Sequence, residues 1–353
     1  LGIQEGVLFD LAKISNENAP LSLFLRKGFE DTISSMFPNT SLFPFLGSSW
    51  YSFDFNTKKE PFTLDGISFV NDSIPDKIAL LKDQNAQRLL SPQVVPQSFD
   101  SYLGLSLADY KALEQAFKKY SRHINIPLNS IDLDLLSAVD EIGWVHLQDN
   151  QTILFHLNNT ERIDPKLFST SDPQGTFRGV ALYRQEFPED LEVLLNTLGN
   201  YTDAQWSSQL DDFLLYSNSE AHLKQIIGSY LDNNTLFNDL NFKTLREDLA
   251  DNSTFLWLGK TTNLKQKWAT VSKERKTAWN KIKLKDYPLV VLQGVSENNF
   301  IQTRLTVQKK NTTPQKNSVV SQYSFALDAA ASRAPQWIKN HRNKTMDVVV
   351  QDV

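Results

Sequence analysis

The chain has 353 residues, of which 41% are hydrophobic and 22% are charged, and its formal net charge is -5. This composition is typical of a globular chain long enough for two ordinary domains, and it excludes a disordered protein. The acidic balance gives no general attraction to nucleic acid or to anionic membranes. No apolar run approaches the roughly 20 residues that a membrane span requires. The absence of cysteine excludes disulfides, thiol nucleophiles and cysteine-bound zinc.

The first 47 residues are predicted to be a mostly helical segment. Its apolar residues fall at positions that one buried helical face would occupy: Leu8, Leu11, Leu21, Leu25 and Phe29. The period then drops to two in "WYSFDFNTKKEPFTLDGISFV", where aromatic residues alternate with polar ones. This alternation predicts a β-hairpin.

Two segments, at 99–120 and 210–231, share the order strand, serine, helix, and this predicts an internal duplication. In each segment an acid follows the serine three residues later, Asp109 after Ser106 and Glu220 after Ser217. That spacing is typical of a capping box at a helix start. We therefore predict two related α+β repeats, at 48–166 and 167–333, with mainly antiparallel sheets and capped helices packed on them.

Further helices and strands are predicted along the rest of the chain. The hairpin "EIGWVHLQDNQTILFHL" and the strand "STFLWLGK" follow the two capped helices, and "PEDLEVLLNTLG" and "DLNFKTLREDLA" are predicted helices. The stretches "YPLVVLQGVS", "NFIQTRLTVQKK" and "SVVSQYSFALDA" predict a closing meander of strands. Residues 334–353 are predicted to be a junction to a further C-terminal region.

The titratable residues give weak signals for catalysis. His146 and His156 lie on neighbouring predicted strands, and with Asp140 or Glu141 they would form a metal-assisted hydrolase site if their side chains converged. The structural interpretation, in which both are half-buried strand histidines, is favoured. The other histidines, His123, His222 and His341, are not spaced as metal ligands. Acid pairs at Asp132/Asp134, Asp140/Glu141 and Asp211/Asp212 are expected to be solvated or capping. We predict no catalytic residue, no metal and no cofactor.

Other chemical motifs are equally sparse. The sequence holds no nucleophile elbow, phosphate loop or dinucleotide fingerprint, and Ser106 is explained by its predicted capping role. The basic stretch at 265–285, with Trp268 and Trp279, suits either an acidic partner or an amphipathic surface helix whose tryptophans pack inward. The second interpretation is favoured because the rest of the chain is acidic.

Two segments resemble parts of a known kind of protein. The stretch "DDFLLYSNSEAHLKQIIGSYLDNNTLFNDLNFKTLREDLADNSTFLWL" resembles a domain of unknown function in bacterial envelope proteins. The closing "APQWIKNHRNKTMDVVVQDV" resembles the junction in large Bacteroidota (flavobacterial) lipoproteins where this domain leads into a C-terminal β-propeller-like region. The resemblance implies an exported protein of the periplasm or outer membrane, with a lipid anchor outside this chain. It carries no catalytic residues.

The same resemblance implies two modification sites. "DTI" at Asp31 and "DSI" at Asp72 match the loose pattern at which such bacteria O-glycosylate exported proteins, so Thr32 and Ser73 are the expected acceptors. The leading function is a non-enzymatic, periplasm-facing protein-interaction module, acting with outer-membrane assembly, secretion or gliding machinery. A metal-assisted hydrolase and a lipid or small-molecule carrier are the alternatives.

Overall fold

A computed structural model describes the chain in thirteen stretches: 6–26, 50–56, 62–70, 77–126, 133–168, 172–186, 189–199, 201, 203–261, 286–297, 300–310, 336–339 and 346–349. The chain divides into two compact units, Leu1–Lys310 and Asn311–Val353. Each unit is described by itself below.

The first unit contains five described helices and thirteen described strands. The helices are α1 (Val7–Ile14), α2 (Tyr110–His123), α3 (Glu189–Gly199), α4 (Glu220–Leu231) and α5 (Leu240–Arg246). The strands are β1 (Ser22–Leu25), β2 (Trp50–Asn56), β3 (Phe62–Phe69), β4 (Ser101–Ser106), β5 (Val139–Leu147), β6 (Asn150–Leu157), β7 (Gly175–Phe177), β8 (Val180–Arg184), β9 (Trp206–Leu210), β10 (Phe213–Ser217), β11 (Phe255–Lys260), β12 (Leu289–Glu297) and β13 (Phe300–Gln308). None of these helices is long and apolar enough to cross a membrane.

All thirteen strands form one antiparallel sheet. Its order is β1-β2-β3-β13-β12-β11-β4-β5-β6-β10-β9-β8-β7. The predicted α+β class with antiparallel pairing is confirmed. Blocks of strands from 48–166 and from 167–333 alternate in this sheet. The blocks meet where β3 pairs with β13, β11 with β4, and β6 with β10.

The sheet is covered on both faces over its centre. One hydrophobic cluster joins Trp144 and Phe155 to Phe117 of α2 and Leu195 of α3. The other joins strand residues such as Leu154 to helices α4 and α5 on the opposite face. Because successive strand side chains point to opposite faces, a strand in this position must be apolar on both sides. Strand β10 accordingly reads "FLLYS", and every residue in it is buried.

The two predicted capping boxes are wrong in register. Ser106 ends β4 and is buried, and Asp109 caps α2, accepting hydrogen bonds from the backbone N–H groups of Lys111 and Ala112. Ser217 likewise ends β10, and Ser219 caps α4. Each strand continues through its serine because the serine hydroxyl donates to a backbone carbonyl outside the helix. The acceptor is the Asn85 carbonyl for Ser106 and the Gln151 carbonyl for Ser217.

The N-terminal segment is only partly helical. Helix α1 is present where Leu8 and Leu11 predict it, but Ser22–Leu25 forms strand β1 against β2. The prediction that Leu21 and Leu25 share a helical face is therefore wrong. Pairing with the β2 edge supplies partners for the backbone of this short stretch, and local helical spacing does not override that gain.

The predicted strands "YPLVVLQGVS" and "NFIQTRLTVQKK" are confirmed as β12 and β13. Several other predictions fall outside the described residues: the helix at 265–285, the strand at 318–329, Phe29, His341, and the acceptors Thr32 and Ser73. The second unit contains an antiparallel pair, β14 (Gln336–Lys339) with β15 (Met346–Val349). The described partner of β15 is therefore the preceding stretch of the same segment.

Candidate functional site

An open groove lies on one face of the sheet, beside the part that helix α5 covers. Its volume is about 620 Å³, which is within the range of ligand-binding clefts. Strands β2, β3, β13 and β12 form its floor. Its walls come from Ile14 at the end of α1 and from residues 247–250, which follow α5.

The floor is polar because these strands alternate. In β2 the aromatic residues Tyr51 and Phe53 face the core, which turns Ser52 and Asp54 to the groove. Strand β13 repeats the pattern, with Ile301 buried in the core and its neighbour Gln302 exposed in the groove. The groove is thus the solvent-facing side of the strands whose other side builds the core.

A row of polar residues in register crosses five strands. Its members are Ser22, Asp54, Asp65, Arg304 and Gln293, each paired with the next across neighbouring strands. Asp54 and Asp65 stand directly opposite each other, a placement that puts Cβ atoms about 5 Å apart and disfavours two like charges. Neighbouring donors offset part of this repulsion.

Asp54 and Asp65 are supplied with different kinds of donor. The Arg304 Nε donates to Asp65 Oδ1 at 2.6 Å and forms an ion pair with it. Asp54 accepts from two neutral groups, the Asn16 backbone N–H at 2.7 Å and the Ser22 hydroxyl. Asp65 is therefore charge-compensated, whereas Asp54 is hydrogen-bonded and forms no ion pair within the part of the chain that the structure describes.

The wall after α5 is tied to the floor by two side chains. The Gln293 amide donates to the Ala250 carbonyl at 2.7 Å and accepts from the Ala250 N–H at 3.0 Å. The Arg304 Nη1 donates to the Asp248 carbonyl at 2.7 Å. These bonds use backbone atoms of the wall, and the exposed acidic residues Glu247 and Asp248 are among those that line the groove.

The predicted histidine pair does not form. Strands β5 and β6 make the expected hairpin, but its register places His146 opposite Gln151 and His156 opposite Glu141. Five strand positions separate the two histidines, or about 17 Å along the strand. Within the described stretches, no three His, Cys, Asp or Glu side chains are placed to hold a metal ion.

His156 instead pairs with Asp140 beside it. Its Nδ1 lies 2.6 Å from Asp140 Oδ1, and its ring packs edge-on against Phe213. Burial lowers the pKa of His156, but the hydrogen bond that its ring donates to Asp140 and the charges of Asp140, Glu141 and Asp212 outweigh burial, so its pKa is raised. His156 and Asp140 thus form a hydrogen-bonded pair between strands β5 and β6.

Glu141 is a buried anchor. Its carboxylate accepts hydrogen bonds from the backbone N–H of Leu90 at 2.6 Å and of Ser91 at 3.2 Å, and also from the hydroxyls of Ser91 and Tyr102. Burial raises the pKa of Glu141, while the hydrogen bonds from Ser91 and Leu90 lower it. Its donors pin the short turn Ser91–Gln93 to the sheet.

His222 lies in a second buried polar cluster. Its Nδ1 is 3.2 Å from the Thr152 hydroxyl oxygen and 3.5 Å from that of Ser217, and only 3% of its surface is exposed. Its Nε2 has no hydrogen-bond partner in the described part of the chain. Burial lowers the pKa of His222 to about 4, so the ring is neutral near pH 7.

The remaining candidates are dispersed. His123 is exposed at the end of α2, Asp134 opens a short turn, and Asp211 lies in the β9–β10 turn, where it accepts from the Tyr230 hydroxyl. Asp132 lies outside the described residues. The groove residues were not found from the sequence, although the alternation in β2 and β13 already placed polar side chains on the face opposite the buried apolar ones.

No family model, curated protein or solved structure matches this chain. The resemblance to Bacteroidota envelope lipoproteins consequently stays a prediction. Function must be argued from the groove and its surroundings.

Proposed function

We propose that the protein is a non-enzymatic binding module whose groove holds a segment of another protein. The observation that carries this proposal is the groove itself, an open cleft of about 620 Å³ on a sheet whose strands and walls are hydrogen-bonded to each other. A cleft built on a rigid sheet holds its shape before the partner arrives, which lowers the entropy cost of binding.

Exposed apolar side chains at the same end of the sheet support a protein partner. Strand β1 is the edge strand, and Leu21 before it, Leu23 within it and Phe62 at the start of β3 are 55%, 39% and 38% exposed. Phe62 also stacks edge-on against Phe55, with 5.5 Å between the ring centroids. Leu23 and Phe62 belong to the face of the sheet opposite the groove, and exposed apolar groups on a sheet are typical of protein-interaction surfaces.

The proposal also covers the cellular location of the module and the evolutionary origin of its two segments. An exported, periplasm-facing protein, lipid-anchored through a region outside this chain, is supported by the resemblance alone. So are the partners in outer-membrane assembly, secretion or gliding machinery. Descent of the two strand–serine–helix segments from one ancestral repeat is supported by their shared order. Their helices, α2 and α4, pack on opposite faces of the sheet.

The groove favours this proposal over a lipid carrier. Its lining includes four carboxylates and an arginine, which would lose hydration against an acyl chain. The hydrolase alternative loses its proposed ligands because His146 and His156 diverge.

Blocking the groove tests the proposal. Gln302→Trp places a bulky side chain on the groove floor, and Thr176→Trp places the same side chain at an exposed position in the opposite edge strand, β7. The full-length protein would be crosslinked in native envelopes, and its partners would be identified by mass spectrometry. We expect one stoichiometric partner with the wild type and with Thr176→Trp, and its loss with Gln302→Trp. Equal recovery with both variants would overturn the proposal.

A further inference from the structure

We propose that the segment held in the groove is extended and carries lysine or arginine side chains. This inference rests on the proposed function and specifies the ligand of the same site. It is argued from the charges that line the groove and from the space above its floor.

The charges that line the groove are unbalanced. Four acidic residues, Asp54, Asp65, Glu247 and Asp248, and one arginine, Arg304, are among the residues that line it. Arg304 is committed to Asp65. Asp54, Glu247 and Asp248 form no ion pair with any residue in the described ranges. The cleft therefore repels anions and attracts a cation.

The three uncompensated acids lie on both sides of the floor. Glu247 and Asp248 belong to the wall beside β12, while Asp54 lies on β2 near the wall formed by α1. The four floor strands are spaced about 4.8 Å apart, so the span from β2 to β12 is about 14 Å. A metal ion or a single amine would reach one side only, whereas an extended chain of about four residues covers this span.

The rest of the lining fits a peptide better than a sugar or a base. No aromatic side chain is among the groove residues within the described chain, so stacking on a sugar ring or a nucleobase has no platform there. The exposed side chain of Gln302 offers hydrogen-bonding groups on the floor. Ile14, which is 60% exposed at the rim, offers apolar contact for the stem of a lysine or arginine.

Peptide binding to matched charge variants tests the inference. The full chain would be titrated against a fluorescently labelled peptide of alternating lysine and serine, with Glu–Ser and Asn–Ser peptides for comparison, and anisotropy would be measured. The groove variant is Glu247→Gln with Asp248→Asn. The control is Asp149→Asn with Glu161→Gln, which removes the same charge at exposed positions that do not line the groove.

We expect the Lys–Ser peptide to bind and the other two to bind far more weakly. The groove variant should weaken binding about fivefold, as expected for losing two partly screened charges, and the control should leave it unchanged. Equal weakening by both double variants, or no preference for the Lys–Ser peptide, would overturn the inference. If that happens while Gln302→Trp still abolishes partner capture, only the ligand chemistry is wrong. If Gln302→Trp leaves capture intact, the proposed function itself fails.

Discussion

Only 3% of the surface of Glu141 is exposed, and its carboxylate is surrounded by donors from Leu90, Ser91 and Tyr102. An isolated buried charge would be strongly unfavourable, and these donors replace the water that Glu141 loses. The sequence predicted its acid pair with Asp140 to be solvated or capping. Sequence alone could not reveal the cluster, because its donors come from a loop about fifty positions away and from strand β4.

Removing this carboxylate should destabilise the fold strongly. Glu141→Ala leaves the Leu90 and Ser91 N–H groups buried without an acceptor, and we expect a loss of about 2–4 kcal/mol. Tyr102→Phe removes one donor and leaves the carboxylate satisfied by the others, so it should cost about 1 kcal/mol. Urea unfolding monitored by tryptophan fluorescence measures both. Similar costs for the two variants would mean that Glu141 does not anchor the turn.

Buried His222 should make the protein less stable in mild acid. Its pKa is about 4 in the folded state and about 6.5 when unfolded, so the unfolded chain binds the extra proton between these values. Its contribution is fully present above about pH 6.5 and falls by up to about 3 kcal/mol as the pH decreases through 4. The free energy of unfolding of His222→Gln should therefore vary less with pH in this window.

His156 provides the matched control for that experiment. Its pKa is raised in the folded state, so its contribution is present below about pH 6.5 and is lost as the pH rises through the folded value. His156→Gln should leave the slope between pH 4 and 6.5 unchanged and alter the slope above it. An unchanged acid slope in His222→Gln would contradict our account of His222.

Helix starts show how far local patterns reach. The sequence correctly predicted that α2 and α4 exist, but both caps lie two or three residues beyond the predicted serines. Ser106 and Ser217 are drawn into the sheet by strand pairing and by carbonyl acceptors distant in sequence. A capping motif predicts that a helix begins nearby, while the tertiary partners decide where.

The Asp109 cap can be tested directly. Asp109→Ala removes the acceptor of the Lys111 and Ala112 N–H groups, and we expect a loss of about 1 kcal/mol in the free energy of unfolding. Gln115→Ala, at an exposed position inside α2, should change the stability by less than about 0.5 kcal/mol. The cap assignment would be contradicted if Asp109→Ala were as mild as Gln115→Ala.

The sheet of the first unit could be predicted from the sequence only in part. The class, the antiparallel pairing and most of its strands were predictable because alternation and apolar runs are local signals. The strand order was not, because β3 meets β13 across more than two hundred positions of sequence. The groove depends on that order, since Asp65 and Arg304 become neighbours only through this pairing.

Sheet order also predicts a gradient of local stability. Strands β4, β5 and β6 lie between helices on both faces, whereas β1 and β7 are edge strands. Amide hydrogens in the central strands should exchange slowest, near the rate of global unfolding, and those of β1 and β7 should exchange fastest. Hydrogen-exchange mass spectrometry measures this gradient, and uniform protection from edge to centre would refute it.

The central claim, that the groove holds a partner protein, is tested most directly by photocrosslinking from its floor. A photoreactive residue would replace Gln302 in the full-length protein and, as a control, Thr176 in β7. We predict a discrete adduct from position 302 in native envelopes, with its attachment mapped by mass spectrometry to a lysine- or arginine-bearing segment, and no such adduct from position 176. The absence of an adduct from position 302, or the same adducts from both positions, would contradict the account.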